Sequence, residues 1–214
     1  MMWEKHLALF VSENLPGLER EALDRLVLFG NEVLKWNGAI NLISRRNTEL
    51  ILTRLIIEAL FLLEILRGDE SILDIGAGGG FPGVPLLLCS QVKIVMAESK
   101  SKRAAFLNHI VHLLNLKHAY VLRETIRTSS IHDLGKFDAL WAKAALPLEA
   151  LFSLGREGLF PGGTLILFRP FQGKREKYHL QSLTEASGFA SPIFKVFSYP
   201  DLYLTRTITT CQKI

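Results

Sequence analysis

Apolar side chains in the first third of the chain recur at helical spacing. Leu23, Leu26, Val27, Val33 and Leu34 share one face, with Glu19, Glu21, Asp24 and Arg25 opposite. Pro16-Gly17 marks a start before this helix and Asn37-Gly38 a stop after it. A third helical run, about Thr48 to Leu66, is apolar almost all round. It is expected to lie buried between the N-terminal helices and whatever follows. At Ser71 the texture changes. Short β-type runs (SILDIG, VKIVMA, AYVLRE, FDALWA, TLILF, PIFKVF, YLTRTITT) alternate with helical segments such as SKRAAFLNHIVHLLNL and LPLEALFSLGREGL. That alternation predicts a parallel sheet with right-handed crossovers and helices on both faces. The last two runs have no helix between them, so they should form an antiparallel hairpin at a sheet edge. The expected fold is α/β and Rossmann-like. It has a mainly parallel seven-stranded sheet over 67–214 behind an N-terminal helical cap, 1–66.

Composition supports one well-filled core. The chain has 214 residues, of which 49% are hydrophobic and 21% charged, enough to bury a full interior. Its most apolar window, ILTRLIIEALFLLEIL, is interrupted by Arg54, Glu58 and Glu64, which argues for a buried helix and against a membrane span. The first residues, MMWEKHLALFVSENL, lack the small-residue cleavage site of a signal peptide. Cys89 and Cys211 show no metal or redox spacing. These features point to a cytoplasmic protein, and a monomer is expected. Charge is unevenly shared. Up to residue 66 there are 7 Lys+Arg against 9 Asp+Glu; from 67 onward there are 18 against 12. A basic C-terminal module suits a polyanionic partner.

The chemistry concentrates in LDIGAGGGFPGVP, Leu73 to Pro85, which carries Gly76, Gly78, Gly79, Gly80 and Gly83. This is a strand turning into a helix, the place where a doubly wound sheet binds its ligand. Glycine there permits positive φ and lets a ligand approach bare backbone, while Pro82 and Pro85 fit the first turn of a helix. Two ligand classes use such a turn. Gly78, Gly80 and Gly83 match the dinucleotide pattern G-x-G-x-x-G, with Glu98 placed 20 residues past Gly78 for a ribose. Asp74-Ile75-Gly76-Ala77-Gly78 instead suits S-adenosylmethionine, whose sulfonium and amino group are cationic and favour an acidic strand end. Lys136-Phe137-Asp138, opening the fourth strand, and LFPGGTLIL, Leu159 to Leu167, read as a helix end, a Pro-Gly-Gly turn and a fifth strand. Both weigh toward a methyltransferase.

With those residues stands a resemblance along nearly the whole chain. Lys35-Trp36-Asn37, Asn41-Leu42, Arg54, the Gly-Phe-Pro-Gly-Val-Pro extension and Lys102-Arg103 with Phe106-Leu107 resemble the small-subunit rRNA guanine-N7 methyltransferase family, also called glucose-inhibited division protein B. The resemblance implies methyl transfer from S-adenosylmethionine to a guanine N7 in the decoding region of 16S rRNA, with 16S rRNA or the small ribosomal subunit as partner and no metal. It also implies that Gly76 and Gly78 approach the cofactor, that Phe81 walls the turn, and that Glu98 holds the ribose. Ile126 and Arg127 would line the adenine edge. Asp74 would buttress the turn or meet the amino group through water. The chain departs from the family pattern at Leu55, Thr125, Ala142-Lys143-Ala144-Ala145 and Arg169-Pro170, all near the expected substrate side.

Guanine N7 has a lone pair and no proton to remove, so no catalytic base is required. Lys143, at the boundary of cofactor and substrate, with Arg54 and Arg169, are the candidate catalytic residues. Arg45-Arg46, Lys100/Lys102/Arg103 and Lys174-Arg175/Lys177 are basic clusters able to track an RNA backbone. His109 and His112 share a helix face without an acidic or cysteine partner in the sequence pattern for a metal. Rival readings are a methyltransferase acting on another RNA position or a small molecule, a ribosome-binding protein without activity, and a nicotinamide-dependent oxidoreductase.

Overall fold

The structure is a computed structural model, and it describes residues 2–143, 145–171 and 173–214. The chain divides into two compact units, Met1–Asp69 with Ala77–Arg123, and Glu70–Gly76 with Glu124–Ile214.

The first unit contains α1 (Met2–Asn14), α2 (Arg20–Asn37), α3 (Thr48–Leu60), α4 (Gly83–Cys89), β2 (Lys93–Ala97), α5 (Ser101–Leu113) and β3 (Ala119–Leu122). The α2 boundaries match its punctuation, with Gly38 as the C-cap. The third helical run ends earlier than its apolarity suggests: α3 stops at Leu60 and tightens into a 3-10 turn over Phe61–Glu64. Leu52, Ile56, Ile57 and Leu60 are almost fully buried, as an all-round apolar helix requires. Trp3 of α1 lies over Gly30 of α2, where any Cβ would strike the indole. Phe10 meets Phe61 edge-on at 5.8 Å.

The second unit contains β1 (Ser71–Ile75), β4 (Phe137–Trp141), α6 (Leu148–Gly158), β5 (Leu159–Leu167), α7 (Gly173–Ser187), β6 (Ile193–Tyr199) and β7 (Leu204–Gln212). Asp138 sets the register of β4 against β1. Its Oδ2 accepts from the Ser71 backbone N–H at 2.9 Å and from the Ser71 hydroxyl at 2.6 Å. The Phe-Asp pair at the start of β4 is therefore a strand clamp. The Pro-Gly-Gly segment differs from the simple turn read in the sequence. β5 already begins at Leu159, and Pro161–Gly163 bulge out within it, so that Phe137 pairs with Leu159 but Ala139 with Thr164. Gly162 takes φ +79°. The bulge holds because Gly162 N–H donates to the Lys213 carbonyl at 2.9 Å and Lys213 N–H to the Gly163 carbonyl at 2.8 Å.

The strands form one seven-stranded sheet in the order β3-β2-β1-β4-β5-β7-β6. Adjacent pairs β2/β3, β1/β4 and β4/β5 are parallel, while β7 runs antiparallel to both β5 and β6. This is the expected Rossmann-like sheet with its terminal hairpin. The short connection Pro200–Leu202 and the left-handed Tyr203, φ 48°, turn β6 into β7.

Candidate functional site

In the first unit the site is organised around Glu98, which follows β2 and is only 4% exposed. One carboxylate oxygen accepts the Gly78 N–H at 3.1 Å and the other the Lys100 N–H at 2.8 Å. Gly78 has φ +57°, and the turn is pinned further where Ala77 N–H donates to the Ala97 carbonyl at 3.1 Å. A carboxylate offers about four lone-pair positions, so two remain on Glu98 for hydroxyl donors. Its role is thus double: it shapes the glycine turn and keeps acceptor capacity for a ligand.

Not all the glycines serve an approaching ligand. A Cβ on Gly79 would come within 3.2 Å of the Leu42 carbonyl oxygen, and one on Gly80 within 2.7 Å of Val84. These two positions are bare because the protein packs on itself there. Phe81 also looks inward, 5.1 Å from Phe29 between ring centroids, and is 7% exposed. Pro82 caps α4 and Pro85 lies in its first turn, so both prolines sit where a helix tolerates them.

The loop that reaches Gly79 is built by Asn37, which in the sequence marks a helix stop and belongs to the Lys-Trp-Asn segment of the family resemblance. Asn37, 4% exposed, accepts the backbone N–H groups of Leu42 and Ile43 on Oδ1, at 2.9 and 3.0 Å. Arg103 of α5 donates to the Asn41 carbonyl at 2.7 Å, which ties one of the basic clusters to this loop. Beside it, Glu32 accepts from Trp36 Nε1 at 3.1 Å and sits 2.6 Å from His109 Nε2. Trp36 packs on Phe106 and His109. Burial opposes ionisation of Glu32, but hydrogen bonds from His109, Lys35 and Trp36 outweigh it and hold the carboxyl below its usual range. The conspicuous Lys-Trp-Asn segment is therefore an anchoring device, and His109 works in it. Arg54 is half-buried on α3 in the same unit.

In the second unit, Asp74 is 1% exposed in β1, in register with Trp141. Gly76 follows with φ +74°, and a Cβ there would come within 2.7 Å of the Ala145 methyl group. Ala145 thus lies directly against the first glycine; Ala144 lies outside the described residues. Ile126 is buried, and exposed Arg127 follows it in the loop after β3, where the Arg127 carbonyl accepts the Ser130 and Ile131 N–H groups. Lys143 is half-buried, its Nζ 5.7 Å from the Phe168 ring centroid. Arg169, one residue farther, turns elsewhere. Its guanidinium lies 4.9 Å from the Phe171 centroid and 3.8 Å from Glu176, beside a cavity of about 650 Å³. Across that cavity Glu149 pairs with His179 at 3.3 Å. The backbone N–H at the start of α6 and His179 hold the Glu149 carboxyl below its ordinary range.

Each unit thus carries a buried carboxylate near the end of a strand, Asp74 in β1 and Glu98 after β2. The comparison with known proteins decides between the two ligand classes. A family model described as rRNA small subunit methyltransferase G matches residues 22–202. The chain belongs to that family. A ribosomal RNA small subunit methyltransferase G from Paracoccus denitrificans is 34% identical over 74% of this chain and 82% of its own length. One of the same description from Syntrophotalea carbinolica is 28% identical over 92% of both. Among solved structures, a magnesium protoporphyrin IX methyltransferase from Synechocystis PCC 6803 with bound S-adenosylmethionine shares the fold. It has a TM-score of 0.59 at 12% identity, over 87% of this chain and 97% of that one. The methyltransferase G family and this sheet order together make the chain a methyltransferase of the S-adenosylmethionine-dependent type.

Among the described residues no three His, Cys, Asp or Glu side chains group as a metal site, and no helix is long and apolar enough to cross a membrane. Burial pushes the Cys89 and Cys211 thiols up to about 12, which leaves both unreactive near neutral pH.

Proposed function

We propose that this protein transfers a methyl group from S-adenosylmethionine to N7 of a guanine in 16S rRNA. The observation that carries the reading is the family match across residues 22–202, joined to a glycine turn whose Gly78 amide is held by Glu98. Bound S-adenosylmethionine supplies an electrophilic methyl carried on a sulfonium. The chain's own residues bind and orient. Glu98 accepts ribose hydroxyls on its remaining lone pairs. Gly76 and Gly78 present backbone, Ile126 and Arg127 border the adenine, and Asp74 buttresses the turn or meets the amino group through water. Because guanine N7 is already an unprotonated nucleophile, in-line orientation is the main demand, and orientation supplies roughly 7–11 kcal/mol in well-aligned systems. Lys143 serves guanine O6 or charge developing on the base, while Arg54 and Arg169 each contact RNA phosphate or base. The cytoplasm, where small subunits are assembled, is the setting this reading implies.

Lys143→Ala is expected to lower kcat tenfold to a hundredfold, the loss of one charge-assisted hydrogen bond at roughly 1.5–3 kcal/mol. Affinity for S-adenosylmethionine should fall by no more than kcat does, and Lys143→Arg should recover part of the rate. Steady-state assays beside equilibrium dialysis with labelled cofactor test this. A variant with wild-type kcat would remove Lys143 from the site.

The test of the function is chemical mapping of 16S rRNA from cells with the gene intact, deleted and restored. Borohydride reduction and aniline cleavage reveal N7-methylguanine site by site. Loss of one cleavage on deletion, and its return with the gene, supports the proposal. An unchanged pattern assigns the enzyme a different target.

A further inference from the structure

Beyond β5, two aromatic rings of the second unit are each covered by a cation. Arg169 lies over Phe171, and Lys177 Nζ stands 5.4 Å from the Phe194 centroid. The two rings meet edge-on, 6.1 Å apart. The four residues come from the segment after β5, the opening turns of α7 and the start of β6, so the fold gathers them from three elements. β6 is the outermost strand of the sheet, and Ile193, Phe194 and Val196 on it are 68%, 36% and 65% exposed. Lys174, Arg175, Lys177 and Tyr178 are exposed on α7.

A purely structural account of this surface is poor. Exposed apolar residues on an edge strand invite aggregation. Cations in the first turns of a helix oppose its dipole, and in GKREKYH only Glu176 has the favoured sign. Exposed cation–π pairs return little stability. The same features are what a single-stranded nucleic acid requires: a cationic track for phosphates, with aromatic or guanidinium planes on which bases stack.

We infer that this surface binds a single-stranded segment of the ribosomal RNA flanking the target guanine. Bases stack on Phe194 and on the outer face of Arg169, whose inner face rests on Phe171. Lys174, Arg175 and Lys177 lie against the phosphates. The inference rests on the rRNA reading above and assigns the flanking contacts to the C-terminal unit. Charge complementarity favours RNA over a protein partner, since the segment carries three basic residues to one acid.

The experiment compares wild-type protein with Phe194→Ala and with Lys174→Gln/Lys177→Gln. It measures binding to protein-free 16S rRNA and to unmethylated small subunits across a salt series, together with methyl transfer. Affinity for S-adenosylmethionine in the same preparations reports whether each variant is folded. Phe194→Ala should weaken RNA binding by about tenfold, one stacked base. The double variant should flatten the slope of log K against log salt by about 1.4, two single-strand phosphate contacts. Both should raise KM with little change in kcat. Wild-type affinity, slope and KM in both variants, with an active wild type, would overturn the surface alone. Variants that bind protein-free RNA normally yet lose small subunits would overturn it in favour of a ribosomal protein partner. A wild type that transfers no methyl to either substrate would overturn the rRNA reading and the surface with it.

Discussion

Replacing Glu98 with alanine is expected to reduce S-adenosylmethionine affinity by a hundredfold or more, from the loss of two ribose hydrogen bonds to a carboxylate at roughly 1.5–3 kcal/mol each. The effect has a second source. The carboxylate also accepts the Gly78 and Lys100 N–H groups, and it is 4% exposed, so alanine leaves both donors without a partner in a site that water hardly reaches. An unsatisfied buried donor costs about 1–3 kcal/mol. The turn should therefore loosen even before any ligand is offered. Glu98→Gln separates the two contributions. Glutamine has one acceptor oxygen, so it satisfies one of the two N–H groups while its amide opposes the other. It should fall between wild type and alanine in both unfolding midpoint and cofactor affinity. Equilibrium dialysis and urea unfolding on the same preparations give both readouts. Undiminished cofactor affinity in Glu98→Ala would remove Glu98 from the ligand site and leave it only a brace.

How much of this was legible beforehand depends on the range of the interaction. The strands, the glycine turn and the terminal hairpin follow from local patterning: alternation of period two, turn residues at fixed offsets, and the missing helix between the last two runs. Those signals lie within a few residues of one another. What escaped depends on partners far along the chain. The Pro-Gly-Gly segment reads as a turn because nothing local shows that Gly162 and Gly163 bond to Lys213, the contact that turns it into a bulge inside β5. Gly79 and Gly80 look identical to Gly76 and Gly78 in sequence, yet Leu42 and Val84 explain them. Asp138 suggested a family signature, and its structural work is the clamp on Ser71. The end of α3 is hidden in the sequence for another reason. Apolar residues continue to Leu66, and hydrophobicity does not distinguish an α-helix from the 3-10 turn that follows it.

The cap and the site share one residue whose removal should be felt in both. Asn37→Ala is expected to destabilise the first unit by about 2–6 kcal/mol, because two buried N–H groups lose their acceptor at roughly 1–3 kcal/mol each. Those donors belong to Leu42 and Ile43. Once they are released, the loop from Gly38 to Ile43 has less to hold it. The Leu42 carbonyl packs where Gly79 has no side chain, and the Asn41 carbonyl accepts from Arg103. Loosening the loop therefore removes the backing of the glycine turn without touching any ligand contact. Cofactor affinity should fall as well, by less than in Glu98→Ala. Asn37→Asp provides the control, since it keeps an acceptor oxygen where both N–H groups point. It should retain more stability than alanine, in spite of the cost of a buried charge, because two N–H donors stabilise the anion. Denaturant unfolding of the three proteins tests the order wild type, aspartate, alanine. If alanine unfolds within about 0.5 kcal/mol of wild type, a surface-like effect, the loop is held by its apolar packing alone and Asn37 is incidental to the turn.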